Sequence, residues 1–335
     1  MQTAPFPPPN GTNSEAVADA IRTGDRRALA RAITLIESTR SDHRARAEDL
    51  LAALQTESGK AFRLGVSGVP GVGKSTFIEA LGLHLLAEGL KVAVLAVDPS
   101  SPRTGGSILG DKTRMEALSR QPDAFIRPSP SGGTLGGVAR RTRETILAVE
   151  AAGFDVVIVE TVGVGQSETA VAGLTDMFLL LLAPGAGDDL QGIKKGVVEL
   201  ADLIVVNKAD GDLLPAAERA RRDYGAALHL LRPTTNTWRP KVMTCSALVN
   251  TGVDEVWSCV GEFRDAGRAS GLLTRRRAEQ ATAWMWEEVT ASLLSEVREA
   301  PRVKDVIGRT EAAVETGKTS PTAAAKAILR ALRAE

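Results

Sequence analysis

Aromatic residues are scarce in this 335-residue chain, at 4% of the total. The core must therefore be built mostly from Val, Leu, Ile and Ala. There are only two cysteines, Cys245 and Cys259. They form neither a CxxC pair nor a disulfide framework, which suits a reducing cytosol. Of the three histidines, His43, His84 and His229, no two are close in sequence. Without a His-rich tract or clustered cysteines, a nickel- or zinc-insertion protein is not supported. Excess charge of one sign is also missing, with 41 basic and 41 acidic residues. That balance lends no support to a nucleic-acid groove or an anionic membrane surface. The longest apolar run, residues 177–183, is far short of the ~20 residues a membrane helix needs. The start, MQTAPFPPPN, lacks the basic and apolar regions of a signal peptide. A cytoplasmic protein is expected.

What is present falls into segments. Residues 1–13 hold a Pro- and Gly-rich stretch and are expected to be a disordered arm. Residues 14–58 carry helical spacing: Leu29, Ile33 and Ile36 share one face, as do Leu50, Leu51 and Leu54. Gly24-Asp25 and Ser41-Asp42 read as breaks followed by N-caps. Across 59–272 the texture changes to short apolar runs separated by helical stretches. The runs at 61–67, 92–97, 124–127, 156–160, 177–182, 203–207 and 241–245 are expected to be strands. Continuously apolar strands joined through helices predict an α/β fold with a mostly parallel sheet covered by helices. Its ligand belongs at the carboxyl ends of the strands. Residues 273–335 are helical again, with an apolar stripe of Trp284, Trp286, Val289, Leu293 and Leu294. Ala325, Ile328, Leu329 and Leu332 line a last helix. The stripe is either core packing or an intersubunit contact.

The first strand runs directly into Gly68-Val69-Pro70-Gly71-Val72-Gly73-Lys74-Ser75, with Thr76 next. Strand, glycine-rich loop and helix in this order make a phosphate-binding P-loop. Backbone N–H groups turn inward around phosphate oxygens, and the helix dipole adds to them. Lys74 reaches the β- and γ-phosphates, and Ser75 offers its hydroxyl to Mg²⁺.

The loop alone does not choose between ATP and GTP. Asn207-Lys208-Ala209-Asp210 follows the sixth strand and makes that choice. Asp210 can accept from the N1–H and N2–H₂ of guanine, a pair of donors that adenine lacks. The Lys208 stem can cover the base, and Asn207 can tie this loop to the P-loop. Ser246-Ala247-Leu248 follows the last strand and can present backbone to the guanine O6.

Asp98 ends the second strand and is a Mg²⁺ partner, directly or through water. Asp111 lies beyond a Gly- and Ser-rich loop and is a second acid or a helix N-cap. Glu160 ends the fourth strand where most GTPases carry aspartate. It is placed to hold Mg²⁺ through water or to position the attacking water. Gly163 can give an N–H to the γ-phosphate, and Gln166 is either a water-positioner or an ordinary loop residue. The Gly-rich stretches 128–137 and 184–195 have the composition of mobile loops. No arginine stands out as a built-in finger, a device worth 10³–10⁵ in rate. Slow turnover alone, below ~1 s⁻¹, and stimulation by a partner are expected.

GVPGVGKST at 68–76, VDPSS at 97–101, TGGSILGDKTRM at 104–115, SGGTLGG at 131–137, ETVGVGQSE at 160–168, GAGDDLQGIKKG at 185–196 and NKAD at 207–210 resemble the MeaB/ArgK-type GTPases. These are bacterial relatives of the human protein deficient in cblA-type methylmalonic aciduria. The resemblance spans roughly residues 14–335. It implies a P-loop NTPase with an N-terminal helical segment and a C-terminal helical dimerisation arm, working as a homodimer. It also implies GTP hydrolysis coupled to protecting adenosylcobalamin-dependent methylmalonyl-CoA mutase and gating its cofactor loading. By the same resemblance, Lys74, Ser75, Asp98, Asp111 and Glu160 are the Mg²⁺ and catalytic set. Gly187, Asp188, Asp189, Gln191, Lys194 and Lys195 fall in the family's third switch, which addresses the mutase. A second reading is a phosphotransferase acting on a transport protein or a basic amino acid.

Overall fold

Runs that are apolar at every position can be buried only if both sheet faces are covered, and the fold follows from that requirement. The computed structural model describes residues 12–38, 40–97, 115–128, 135–161, 167–185, 195–230 and 237–333. The strands are β1 (Phe62–Gly68), β2 (Val92–Val97), β3 (Ala124–Arg127), β4 (Val156–Thr161), β5 (Met177–Leu182), β6 (Leu203–Val206) and β7 (Lys241–Thr244). They form one sheet in the order β3-β2-β4-β1-β5-β6-β7, with every neighbouring pair parallel. All seven expected runs are strands, and their ends move by a residue at most. Asn207 and Cys245 leave their strands because each turns into a loop. β1, β2, β4, β5 and β6 are buried at every position.

Three helices precede the sheet: α1 (Thr12–Arg22), α2 (Arg26–Ile36) and α3 (Ser41–Leu54). The Asp25 carboxylate caps α2, accepting from the N–H groups of Arg27 at 2.8 Å and Ala28 at 3.1 Å. The break at Ser41-Asp42 differs from the expectation. Arg40 precedes α3 without a side-chain cap, and Asp42 sits in the first turn. Asp42 is drawn off by the Arg40 guanidinium, at 3.0 and 2.8 Å. The helix starts two residues before Ser14, and residues 1–11 of the expected arm lie outside the described residues.

Helix α2 protects the edge strand β3, whose unpaired backbone is otherwise a template for aggregation. Arg26 donates to the carbonyls of Gln121 at 3.1 Å, Pro122 and Ala124. At the other end, Arg127 pairs with Glu37 just past the last turn of α2.

The remaining helices are α4 (Lys74–Ala87), α5 (Glu116–Ser119), α6 (Leu135–Ala151), α7 (Ser167–Ala172), α8 (Lys195–Leu200), α9 (Leu214–Leu230), α10 (Val253–Ala269), α11 (Leu272–Glu299), α12 (Pro301–Glu315) and α13 (Pro321–Arg333). Phe77, Ile78, Leu81 and Leu85 of α4 are fully buried in one apolar cluster with Leu64, Val66, Leu179 and Val205. That packing fixes where α4 begins, directly below the phosphate loop. No described helix is long and apolar enough to cross a membrane.

The chain divides into two units, residues 1–277 and 278–335. Within the first, buried charges gather at the amino edge of the sheet. Asp176 accepts from the Arg63 N–H at 2.9 Å and from Arg277 Nε at 2.6 Å. Asp202 holds Arg276 at 2.8 and 3.0 Å. These arginines occupy the first turns of α11, so its start is fastened to β5 and β6. In the second unit, α12 and α13 form a hairpin whose interior includes buried Val303 and Ala324. Met285, Trp286, Val289, Leu293 and Leu294 of α11 are exposed.

Candidate nucleotide site

The phosphate loop leaves β1 where side chains have no room. A Cβ on Gly68 would lie 2.5 Å from the Leu181 carbonyl oxygen. Gly73 has φ +95°, and a Cβ there would lie 2.7 Å from Asn207 Nδ2. Glycine therefore serves both the turn and the close approach of a second loop. Val72 is buried, while Val69, Pro70 and Gly71 are exposed. Val72 N–H donates to the Val69 carbonyl at 3.3 Å, which closes the turn. Lys74, the first residue of α4, reaches back across the loop and donates from Nζ to the Gly68 carbonyl at 2.7 Å. Ser75 is half-buried and Thr76 exposed in the first turn, beside the helix's unpaired N–H groups.

A second loop is built onto the first. Asn207 follows β6, is 2% exposed, and donates from Nδ2 to the Val72 carbonyl at 2.9 Å. Lys208 takes a left-handed conformation, φ +59°, and donates from Nζ to the Gly71 carbonyl at 2.7 Å. The Asn–Lys pair thus ties the base loop to the phosphate loop at two adjacent carbonyls. Asp210 is half-buried, and one of its oxygens accepts the Ser246 hydroxyl at 2.5 Å. A carboxylate has about four acceptor positions, so the base-facing donors of guanine can still be met. Ser246 also bridges to Thr251, N to O at 2.8 Å and back at 3.0 Å. The Ala247 N–H is directed to Asn207 Oδ1 at 3.1 Å, and Leu248 stands 79% exposed at the tip.

Glu160 is 3% exposed at the carboxyl end of β4, in register with Val66 of β1 and Ala96 of β2. It therefore lies beside the strand that feeds the phosphate loop. The next residue, Thr161, shares a hydrogen bond of 3.0 Å with the Ser67 hydroxyl, which pins β4 to β1 at the loop's root. Asp98, Asp111, Gly163 and Gln166 lie outside the described residues, as do Gly187, Asp188, Asp189, Gln191 and Lys194. Lys195 opens α8. Among the described residues, no group of three or more His, Cys, Asp or Glu could hold a metal ion. Hard oxygen donors such as the Ser75 hydroxyl and the Glu160 carboxylate fit Mg²⁺, which is usually held by few protein ligands together with phosphates and water.

A protein-family model described as "Methylmalonyl Co-A mutase-associated GTPase MeaB" matches residues 29–302. The chain belongs to that family. The MeaB-family protein is 54% identical to the GTPase ArgK of Escherichia coli over 286 residues, 84% of this chain and 86% of that one. It is 49% identical over 320 residues to the mouse (Mus musculus) "Methylmalonic aciduria type A homolog, mitochondrial", covering 92% and 77% of the two chains. A crystal structure titled "LAO/AO transport system kinase" superposes with a TM-score of 0.76 at 41% identity, covering 98% of this chain and all of that one.

This MeaB-family protein is a P-loop GTPase that binds guanine nucleotide and hydrolyses GTP. The two loops are one bonded unit, joined through Asn207 and Lys208 to the Val72 and Gly71 carbonyls. The Cys245 thiol beside Asn207 and the charge network under β1 and β5 belong to no sequence motif. Arg63 and Asp176, charged residues in or beside apolar strands, were the available signal for the network.

Proposed function

We propose that this GTPase protects methylmalonyl-CoA mutase and gates its loading with adenosylcobalamin. The observation that carries the reading is the family match, which spans the whole GTPase core and is described by association with that mutase. Similarity to the mouse methylmalonic aciduria type A homologue supports it. Lys74 binds the β- and γ-phosphates, and the N–H groups of residues 68–76 cradle them. Asn207, Lys208 and Asp210 bind the base with Ser246, Ala247 and Leu248. Ser75 would hold Mg²⁺ together with Asp111 and with Asp98, directly or through water, while Glu160 would hold it through water or position the attacking water. When bound, the ion neutralises charge on the β- and γ-phosphate oxygens.

Gly187, Asp188, Asp189, Gln191, Lys194 and Lys195 report the nucleotide state to the mutase in the cytoplasm. Residues 14–58 form the N-terminal helical segment, 59–272 the GTPase domain and 273–335 the dimerisation region. The exposed apolar face of α11 is the homodimer contact.

The similarity to a structure titled as a transport-system kinase favours a second reading, a phosphotransferase acting on a transport protein or a basic amino acid. One experiment separates them. GTP turnover is measured with and without the purified apo-mutase, and the mutase is co-purified at GDP and at a non-hydrolysable GTP analogue. Stimulated turnover and nucleotide-dependent co-purification are expected. Unchanged turnover, together with phosphate transfer to a basic amino acid or a transport protein, would replace the first reading with the second.

A further inference from the structure

Asn207 has to face one way. Its amide must point Nδ2 at the Val72 carbonyl, yet an amide's oxygen and nitrogen are nearly the same shape and differ only in their partners. Oδ1 meets two donors: the Ala247 N–H at 3.1 Å and the Cys245 thiol at 3.5 Å. If the amide flipped, Nδ2 would face both donors and Oδ1 would face the Val72 carbonyl. Three favourable contacts would become repulsive or empty.

Cys245 is itself held on both sides. Its N–H donates to the Val206 carbonyl and its carbonyl accepts from Ala209 N–H, each at 2.9 Å. Gly252, φ +77°, presses close behind: a Cβ there would lie 3.4 Å from Cys245 Cβ and 2.8 Å from the Thr244 carbonyl. Cys245 is 2% exposed, and burial pushes its thiol up to about 12. It stays an S–H donor throughout the physiological range. Alanine would leave Oδ1 with one donor and a small void beside it.

We propose that Cys245 is a positioning residue for guanine-nucleotide binding. Its S–H locks the Asn207 amide so that the base loop and the phosphate loop stay in register. The contact lies at the junction of the two loops, away from the γ-phosphate. Its loss therefore weakens GTP and GDP alike and leaves the chemical step alone.

The test is equilibrium binding of GDP and of a non-hydrolysable GTP analogue to Cys245→Ala, with GTP turnover at saturation. Both affinities should fall by the same factor, about fivefold for one hydrogen bond. The kcat should stay within twofold. Wild-type affinities in a Cys245→Ala protein that has merely lost thermal stability would overturn the proposal, because that is the signature of simple packing. If Cys245→Ala does not fold, Cys259→Ala leaves Cys245 as the only thiol in the chain. Its infrared S–H stretch should lie at the hydrogen-bonded, low-frequency position, and a band at the free-thiol position would overturn the proposal equally.

Discussion

The Arg63 guanidinium grips the Glu150 carboxylate with two parallel bonds, Nε to Oε1 at 2.7 Å and Nη2 to Oε2 at 2.9 Å. The side chains are 5% and 0% exposed. Arg63 lies in β1, the strand that ends in the phosphate loop, and Glu150 lies in the last turn of α6. Glu150 also accepts from the Gly59 N–H at 2.5 Å. The pair therefore anchors the strand at the end opposite the nucleotide.

Removing one partner strands a buried charge, which costs about 3–5 kcal/mol. Glu150→Ala should lower the unfolding free energy by about 3 kcal/mol in urea titrations. A double replacement by apolar residues of similar volume, Arg63→Met with Glu150→Leu, should recover most of that loss. A single-variant loss below about 1 kcal/mol would show that the pair is not held as described.

The nucleotide assignments predict separable defects. Lys74→Ala removes the phosphate-reaching ammonium and should abolish tight binding of GTP and GDP. Asp210→Asn keeps one acceptor but places a donor against the guanine N–H groups. It should weaken GTP by at least about tenfold, on the scale of an unmatched buried donor. Xanthine carries a carbonyl where guanine has its amino group, so the amide donor meets an acceptor and XTP should bind the variant more tightly than it binds the wild type. Titration with fluorescent nucleotides reads both variants, and unchanged GTP affinity in either would remove that residue from the site.

The buried thiol predicts an alkaline limit to stability. Burial raises the Cys245 thiol to about 12 in the folded protein, against about 9 for an exposed thiol. A raised acid is stabilised in its protonated form, so below pH 9 it makes stability no different with pH. Between about pH 9 and 12 the unfolded chain ionises first, and stability falls by up to about 1.4 kcal/mol per pH unit. Urea midpoints taken across that window should decline more steeply in the wild type than in Cys245→Ala. Equal slopes would mean the thiol ionises freely in the folded protein.

Assembly is tested on the second unit. Trp286 is 61% and Leu293 56% exposed on one helix, an apolar face that a soluble single chain rarely leaves bare. Leu293→Glu should convert a dimer into a single chain by light scattering without changing nucleotide affinity. A wild-type protein that already has the single-chain mass would rule out this contact as a dimer interface.

The fold was largely legible before any coordinates. The seven strands could be placed because both-face burial demands uninterrupted apolar runs, which stand out against helical spacing. Their parallel pairing followed from the helices between them. The capping of α3 was not legible. Asp42 had two competing partners, a free helix end and Arg40, and the nearby charge won. Nor did the sequence say that Arg26 and Arg127, far apart along the chain, clasp the two ends of one edge strand.

The two motifs illustrate the same division. Gly68, Gly73, Lys74 and Asp210 suggest phosphate and guanine chemistry from their types and spacing alone, whatever the rest of the fold does. The sequence by itself determined the sheet, the strand–loop–helix order around residues 68–75, and the family. Only the tertiary structure decided that Asn207 is held by Ala247 and Cys245, that Gly73 is small because Asn207 crosses it, and that Arg63 belongs with Glu150. These are contacts between segments distant along the chain. Their partners depend on packing geometry at the ångström scale, which local residue patterns do not encode.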